Sequence, residues 1–192
     1  MRDDDGTPLP EADAALARAG GGRVALGVVG RVEAIFITEA RSGQPQPVDA
    51  VEAIAGIGLA RDRYGDARAH TYARRRCQVT LIEAEHLAKA AARFAAGDLA
   101  AGIHRRNIVT SGVRLLDLAD RLIMVGEAVL AWDRRRPPCR RLDDLAQGPL
   151  GKALGGWGGI CTRVVGSGLI RPGDPIRIIG VMPKAGAAVA AD

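Results

Sequence analysis

Apolar positions fall in short runs broken by glycine, proline and acidic residues. Residues 24–29 and 31–38 are rich in β-branched side chains and predict two strands, and 48–54 a third. Residues 77–81 form a short strand pattern that runs into a helix. Thr80 and Glu83 have the spacing of a capping box, in which hydroxyl and carboxylate satisfy backbone N–H groups at the helix start. That helix extends to about residue 96, with Ile82, Leu87, Ala90 and Phe94 near one face and Gly97 as its stop. Residues 107–110 read as a strand, and 122–125 and 128–132 as a pair flanking a tight turn at Gly126-Glu127. Residues 142–147 and 149–154 read as short helical turns, and 160–165 as a strand. Pro172-Gly173 makes a turn before a last strand at 175–179. Many short strands and one substantial helix predict a mainly β domain of barrel type with peripheral helices. Residues 1–22 and 182–192, rich in Ala, Gly and Asp, are expected to be flexible tails. A short helix at 12–19 would end at Gly20-Gly21-Gly22. One domain over 23–181 remains.

Composition narrows the partners. Aromatic residues make up 3% of the chain, too few for rows of base-stacking platforms, which argues against nucleic acid. The 27 Lys+Arg against 22 Asp+Glu give a formal charge of +5. The arginine surplus suits an anionic partner, because guanidinium grips phosphate and carboxylate bidentately. An Arg-, Ala- and Gly-rich codon usage produces the same surplus. Cys77, Cys139 and Cys161 are widely spaced with no CxxC pair, which argues against a structural zinc site and fits a reducing cytoplasm. The acidic start lacks a signal-like apolar run, and no apolar stretch reaches membrane-spanning length, so no membrane is expected.

Four segments could carry chemistry. In Gly56–Gly65, glycines relax the backbone and Asp62, between Arg61 and Arg63, can orient a guanidinium toward an anion; it is neither GxGxxG nor a P-loop, and taken alone it reads first as a turn with a solvated ion pair. In His104-Arg105-Arg106-Asn107, two guanidiniums and an amide could hold a phosphate and a ring edge, or form a basic loop. In residues 134–141, Pro137-Pro138 stiffens the approach to Cys139, and flanking arginines favour its thiolate. A thiolate binds soft metals and carries out sulfur transfer. Cys77 and Cys161 lie in apolar strand patterns and read as packing residues. Last, Gly155-Gly156-Trp157-Gly158-Gly159 permits close backbone approach to a ligand.

The order of these segments is more specific than any one of them. Gly58–Arg63, Gln78–Ile82, Arg105-Arg106-Asn107, Val125–Glu127, Pro137-Pro138-Cys139, Gly158-Gly159-Ile160 and Arg171–Asp174 together resemble a MOSC domain, the module named for the C-terminal region of molybdenum cofactor sulfurases. The similarity covers about residues 30–180 and is to the short, single-domain bacterial type, without fused flavin or ferredoxin domains. It implies a twisted β-barrel and a molybdenum–pterin cofactor, and the family is also associated with pyridoxal phosphate. Cys139 would ligate molybdenum in an oxidoreductase acting on N-hydroxylated compounds, or carry a persulfide in sulfur transfer. Arg63, Arg105, Arg106 and Asn107 would hold the anion, with Asp62 and Gly58 beside them. The partners implied are a small-molecule substrate and an external electron donor, or a cysteine desulfurase. Where the family often has Gly-Asp-Arg-His, this chain reads Arg61-Asp62-Arg63-Tyr64, so any histidine-dependent step there is in doubt. Trp157 replaces the basic residue or histidine that often precedes the late Gly-Gly. A non-catalytic basic barrel binding nucleic acid or a protein is the alternative from another class.

Overall fold

The computed structural model describes residues 27–40, 43–63, 65, 77–93, 99–138, 140–146 and 148–182. The tails expected at 1–22 and 182–192, apart from Met182, and the helix at 12–19 lie outside them. Met182 is still attached to the body, its N–H donating to the Asp120 carbonyl at 2.8 Å.

Eleven strands are described: β1 (Val28–Ile37), β2 (Gln46–Pro47), β3 (Val51–Ile54), β4 (Gly58–Leu59), β5 (Val79–Glu83), β6 (Ile108–Ser111), β7 (Arg121–Val125), β8 (Ala128–Arg135), β9 (Ile160–Gly166), β10 (Gly168–Ile170) and β11 (Pro175–Val181). Seven close into a barrel in the order β1-β11-β7-β8-β9-β5-β6, with β6 returning to β1. All of these pairings are antiparallel except β5–β6. A parallel pair needs a long crossover, and helix α1 (Ala84–Arg93) lies within it. A small sheet, β10-β3-β4, is built beside the barrel.

The barrel interior is filled by Leu81, Ile108, Ile123, Leu130, Ile160 and Ile176, all 2% exposed or less. Every residue of β5 is buried. Val79 and Leu81 face the barrel core, while Ile82 packs outward against a second cluster. That cluster joins Leu87 and Ala90 of α1 to Leu142 of α2 (Arg140–Ala146) and Leu150 of α3 (Leu150–Ala153). Helices this short are marginal alone. Full burial of each leucine contributes about 1.5–3 kcal/mol, so packing holds the helical layer rather than propensity.

The β7–β8 hairpin turns at Gly126-Glu127 as expected, with Gly126 at φ 58°, and Pro172-Gly173 turns before β11. Several boundaries differ from the sequence reading. The first strand runs through Gly30 with a bulge instead of restarting at residue 31. The capping box does not form. Thr80 and Glu83 both belong to β5, so the helix begins one residue after Glu83, and both side chains serve the sheet's neighbours. β2, β4 and β10, of two or three residues, are too short to show a period.

Candidate functional site

The Arg-Arg-Asn segment leads into β6 beside the start of β5. Asn107 is 2% exposed, and its amide is fully used. Oδ1 accepts from the Thr80 N–H at 3.1 Å and the Thr80 hydroxyl at 2.8 Å. Nδ2 donates to the Phe36 carbonyl at 3.3 Å and to Asp62 Oδ1 at 3.1 Å. An amide offers two lone pairs and two N–H groups, so Asn107 clamps β5, β1 and the turn after β4 together.

Asp62 is buried in that turn. Its Oδ1 also accepts the Thr38 N–H at 2.9 Å and lies 3.9 Å from Arg63 Nη1. The Arg63 side chain is 10% exposed, and the residue's backbone N–H donates to the Thr38 carbonyl. Asp62, Arg63 and Asn107 therefore meet at the end of β1. Arg61 turns away to an exposed pair with Glu39 at 2.8 Å, a contact of small energetic value. Glu39, Arg61, Asp62 and Gly65 line an open polar cavity of about 410 Å³. Gly58 lies beneath the turn, where a Cβ would come within 3.2 Å of the Gln78 carbonyl.

Arg105 and Arg106 diverge. Arg105 has φ 57°, in the left-handed region, and its Nη1 donates to the Gly43 carbonyl at 2.9 Å. Arg106 is 2% exposed, with Nη1 on the His104 carbonyl at 3.0 Å and Nε on the Gly158 carbonyl. At Gly158 an added Cβ would lie 2.6 Å from Arg106 Nη2 and 2.9 Å from the Pro138 nitrogen. Three motifs thus close on one point: the second arginine, the residue before Cys139, and the Gly-rich loop. Glycine is required there because no side chain fits between them.

His104 lies beneath this junction. Its Nδ1 accepts the Arg106 backbone N–H at 3.0 Å, which puts the neutral ring's proton on Nε2. Nε2 is buried and has no hydrogen-bond partner. The ring packs edge-on against Phe36, with centroids 5.3 Å apart. Burial first, and the Arg106 charge second, lower its pKa to about 3. A neutral histidine is therefore built into the support of Arg106.

Sequence reasoning singled out Gln78, Thr80 and Glu83 but did not find their partners. Gln78 donates to the Gly56 carbonyl at 2.8 Å and accepts the Val164 N–H at 2.7 Å. Glu83 takes the Leu115 N–H at 3.0 Å and Trp157 Nε1–H at 2.7 Å. The available signal was polar residues inside an otherwise apolar strand, where burial demands partners.

Cys139 lies outside the described residues. Cys77 and Cys161 do not act as separate packing residues: they form a disulfide, with Cα atoms 5.0 Å apart and 3% and 0% exposure. Cys77 lies just before β5 and Cys161 in β9, so the fold brings them together across 84 residues of chain, a proximity that local patterns do not encode. Among the described residues, no cluster of three or more His, Cys, Asp or Glu could hold a metal, and no helix is long and apolar enough to cross a membrane.

A family model described as the MOSC domain matches residues 67–177. Among solved structures, YuaD from Bacillus subtilis superposes with a TM-score of 0.65 at 19% identity, covering 78% of this chain and 94% of that one. YiiM from Geobacillus stearothermophilus gives 0.60 at 19% identity, with 82% and 78% covered. YiiM from Escherichia coli gives 0.55 at 17% identity, with 81% and 72% covered. These likenesses show the shared barrel. No curated protein matches the sequence. Since the family model spans more than half of the 192 residues and the solved relatives share the closed barrel, the chain belongs to the MOSC domain family.

Proposed function

We propose that this protein binds a molybdenum–pterin cofactor, with the Cys139 thiolate as metal ligand, and reduces N-hydroxylated compounds. The observation that carries the reading is the junction at Gly158, where the Arg106 guanidinium adjoins Pro138, the residue before Cys139. The donor chemistry fits such a group. Guanidiniums at Arg63, Arg105 and Arg106 match the planar, bidentate recognition of phosphate. A cysteine next to this positive field is favoured as thiolate, the form that binds a soft metal. Asp62, Asn107 and Gly58 serve as the frame: they fix Arg63 and the start of β6 rather than contact a ligand.

When bound, the cofactor would supply a redox-active metal able to take oxygen from an N-hydroxyl group. This chain's part is to hold the anion, orient the thiolate and keep Arg106 fixed through the neutral His104. Electrons would come from an external donor, because the sequence carries no flavin or iron–sulfur motif. We place the protein in the cytoplasm, with burial shielding the Cys77–Cys161 bond from thiol reductants.

The test is metal analysis and pterin fluorescence on protein made in a cofactor-competent host, beside Cys139→Ser. The expected result is molybdenum and pterin in the wild type and loss of metal in the variant. Neither group in folded wild-type protein would refute the reading. Incubation with a cysteine desulfurase that adds sulfur to Cys139 would replace it with sulfur transfer.

A further inference from the structure

A second cavity, of about 560 Å³, opens on the other side of the Trp157 loop, where α1 begins and β6 ends. We propose that it binds a small planar organic monoanion, at a site separate from the Arg106 junction and independent of the cofactor reading.

The volume lies in the range of about 300–1,000 Å³ usual for small-ligand sites. Trp157 forms one wall and Val113 and Leu116 others. The indole cannot turn freely, because its Nε1–H is held by Glu83. Its polar edge is already satisfied, which leaves the π face as its binding surface. Glu83 lines the cavity but is not a spare anion: one oxygen takes Trp157 and the other the Leu115 N–H. Glu85 likewise spends Oε1 on the Gly112 N–H at 2.8 Å. His86 points Nε2 at the Leu154 carbonyl at 3.0 Å, so that nitrogen is the donor and Nδ1 is left to accept a ligand N–H. The remaining charged groups are Lys89 and Arg114. Arg114 is 72% exposed, and its one ion pair among the described residues, to Asp117, is long at 3.9 Å. Lys89 and Arg114 formally balance Glu83 and Glu85, but the carboxylates are engaged by N–H groups of the fold. The cations are thus the charged groups turned to a ligand and favour a single negative charge, while the aromatic and aliphatic walls favour a flat apolar body.

The cavity differs in kind from the polar one beside Asp62, whose described lining is Glu39, Arg61, Asp62 and Gly65.

The test is isothermal titration of the disulfide-bonded protein with naphthoate and with its neutral counterpart naphthylmethanol. Naphthoate should bind saturably with one-to-one stoichiometry. The double variant K89Q/R114Q should weaken naphthoate roughly tenfold, the loss of two exposed charge contacts, and leave naphthylmethanol unchanged. Arg63→Gln should leave both unchanged, which separates this site from the proposed cofactor site. Leu116→Trp, filling the cavity, should abolish both. Naphthoate should also protect Lys89 from acetylation, read by peptide mass spectrometry in the wild type. Absence of saturable binding, binding that a folded L116W variant leaves intact, or unprotected Lys89 at saturation would each overturn the proposal.

Discussion

Acidification should unfold this protein through one buried imidazole. Neutral His104 accepts the Arg106 N–H on Nδ1, so the added proton must go on that nitrogen. Protonation therefore breaks a buried hydrogen bond and sets a second cation beside the Arg106 guanidinium. The folded-state pKa is lowered to about 3, against an unfolded value of about 6.5. Above that unfolded value the ring is neutral in both states and stability is full. As the pH falls, the unfolded chain takes the proton first and stability drains away, until the folded ring also protonates near pH 3. Linkage gives a loss of about 2.7 kcal/mol at pH 4.5 and an upper bound near 4.8 kcal/mol at lower pH. The assay is urea unfolding of the disulfide-bonded protein at a series of pH values, for wild type and His104→Asn. Asn Oδ1 can replace Nδ1 as acceptor but does not titrate, and the carboxylates common to both cancel in the difference. The gap between the two curves should close by about 2.7 kcal/mol between pH 7.5 and pH 4.5. Parallel curves would show that His104 does not bear the acid sensitivity.

Three further outcomes follow from the same geometry. Cys77 and Cys161 close a loop across 84 residues, so the C77A/C161A variant should lose about 4 kcal/mol through the freer unfolded chain; a urea midpoint equal to that of the oxidised wild type would contradict the pairing. Asn107→Asp keeps the shape but sets a carboxylate oxygen where a donor now lies 3.1 Å from Asp62 Oδ1, which should cost about 3–5 kcal/mol at neutral pH and less in acid, once one carboxyl protonates. A cost independent of pH would exclude like-charge repulsion as its cause. Arg105→Gly relieves a left-handed residue by about 1 kcal/mol and gives up a hydrogen bond to Gly43. The net loss in a urea titration should stay below about 2 kcal/mol while molybdenum retention falls; full retention would remove Arg105 from the anion set.

Most of the barrel was legible because its strands alternate or run apolar for four to eight residues, and the turns at Gly126 and Pro172-Gly173 carry their own chemistry. What failed was local and has local causes. Thr80 and Glu83 match a capping box in spacing, but Thr80 is drawn into β5 by Asn107, 27 residues away. Cys77 and Cys161 look like packing residues because each flank is apolar, and only the tertiary fold, which sets the segment before β5 against β9, joins them. Short strands such as β4 and β10 exist because β3 offers them a partner, not because two or three residues specify a strand.

The site was legible by motif and less so by role. Arg105, Arg106 and Asn107 read as one basic cluster, yet each does a different thing. The left-handed turn at Arg105 sends its side chain to Gly43 and lets Arg106 run beneath the Gly158 loop. Asn107, the residue that looked most like a ligand to a ring edge, spends all four of its hydrogen bonds inside the fold. Its importance would therefore appear first in stability and only through that in binding. Arg106 has the opposite signature. Its hydrogen bonds to the His104 and Gly158 carbonyls fix the guanidinium at the junction that Pro138 also borders. Burying a cation so deeply is costly unless its surroundings use the charge, and under the proposed function a bound anion would use it, next to the Pro138 backbone that shares the Gly158 junction.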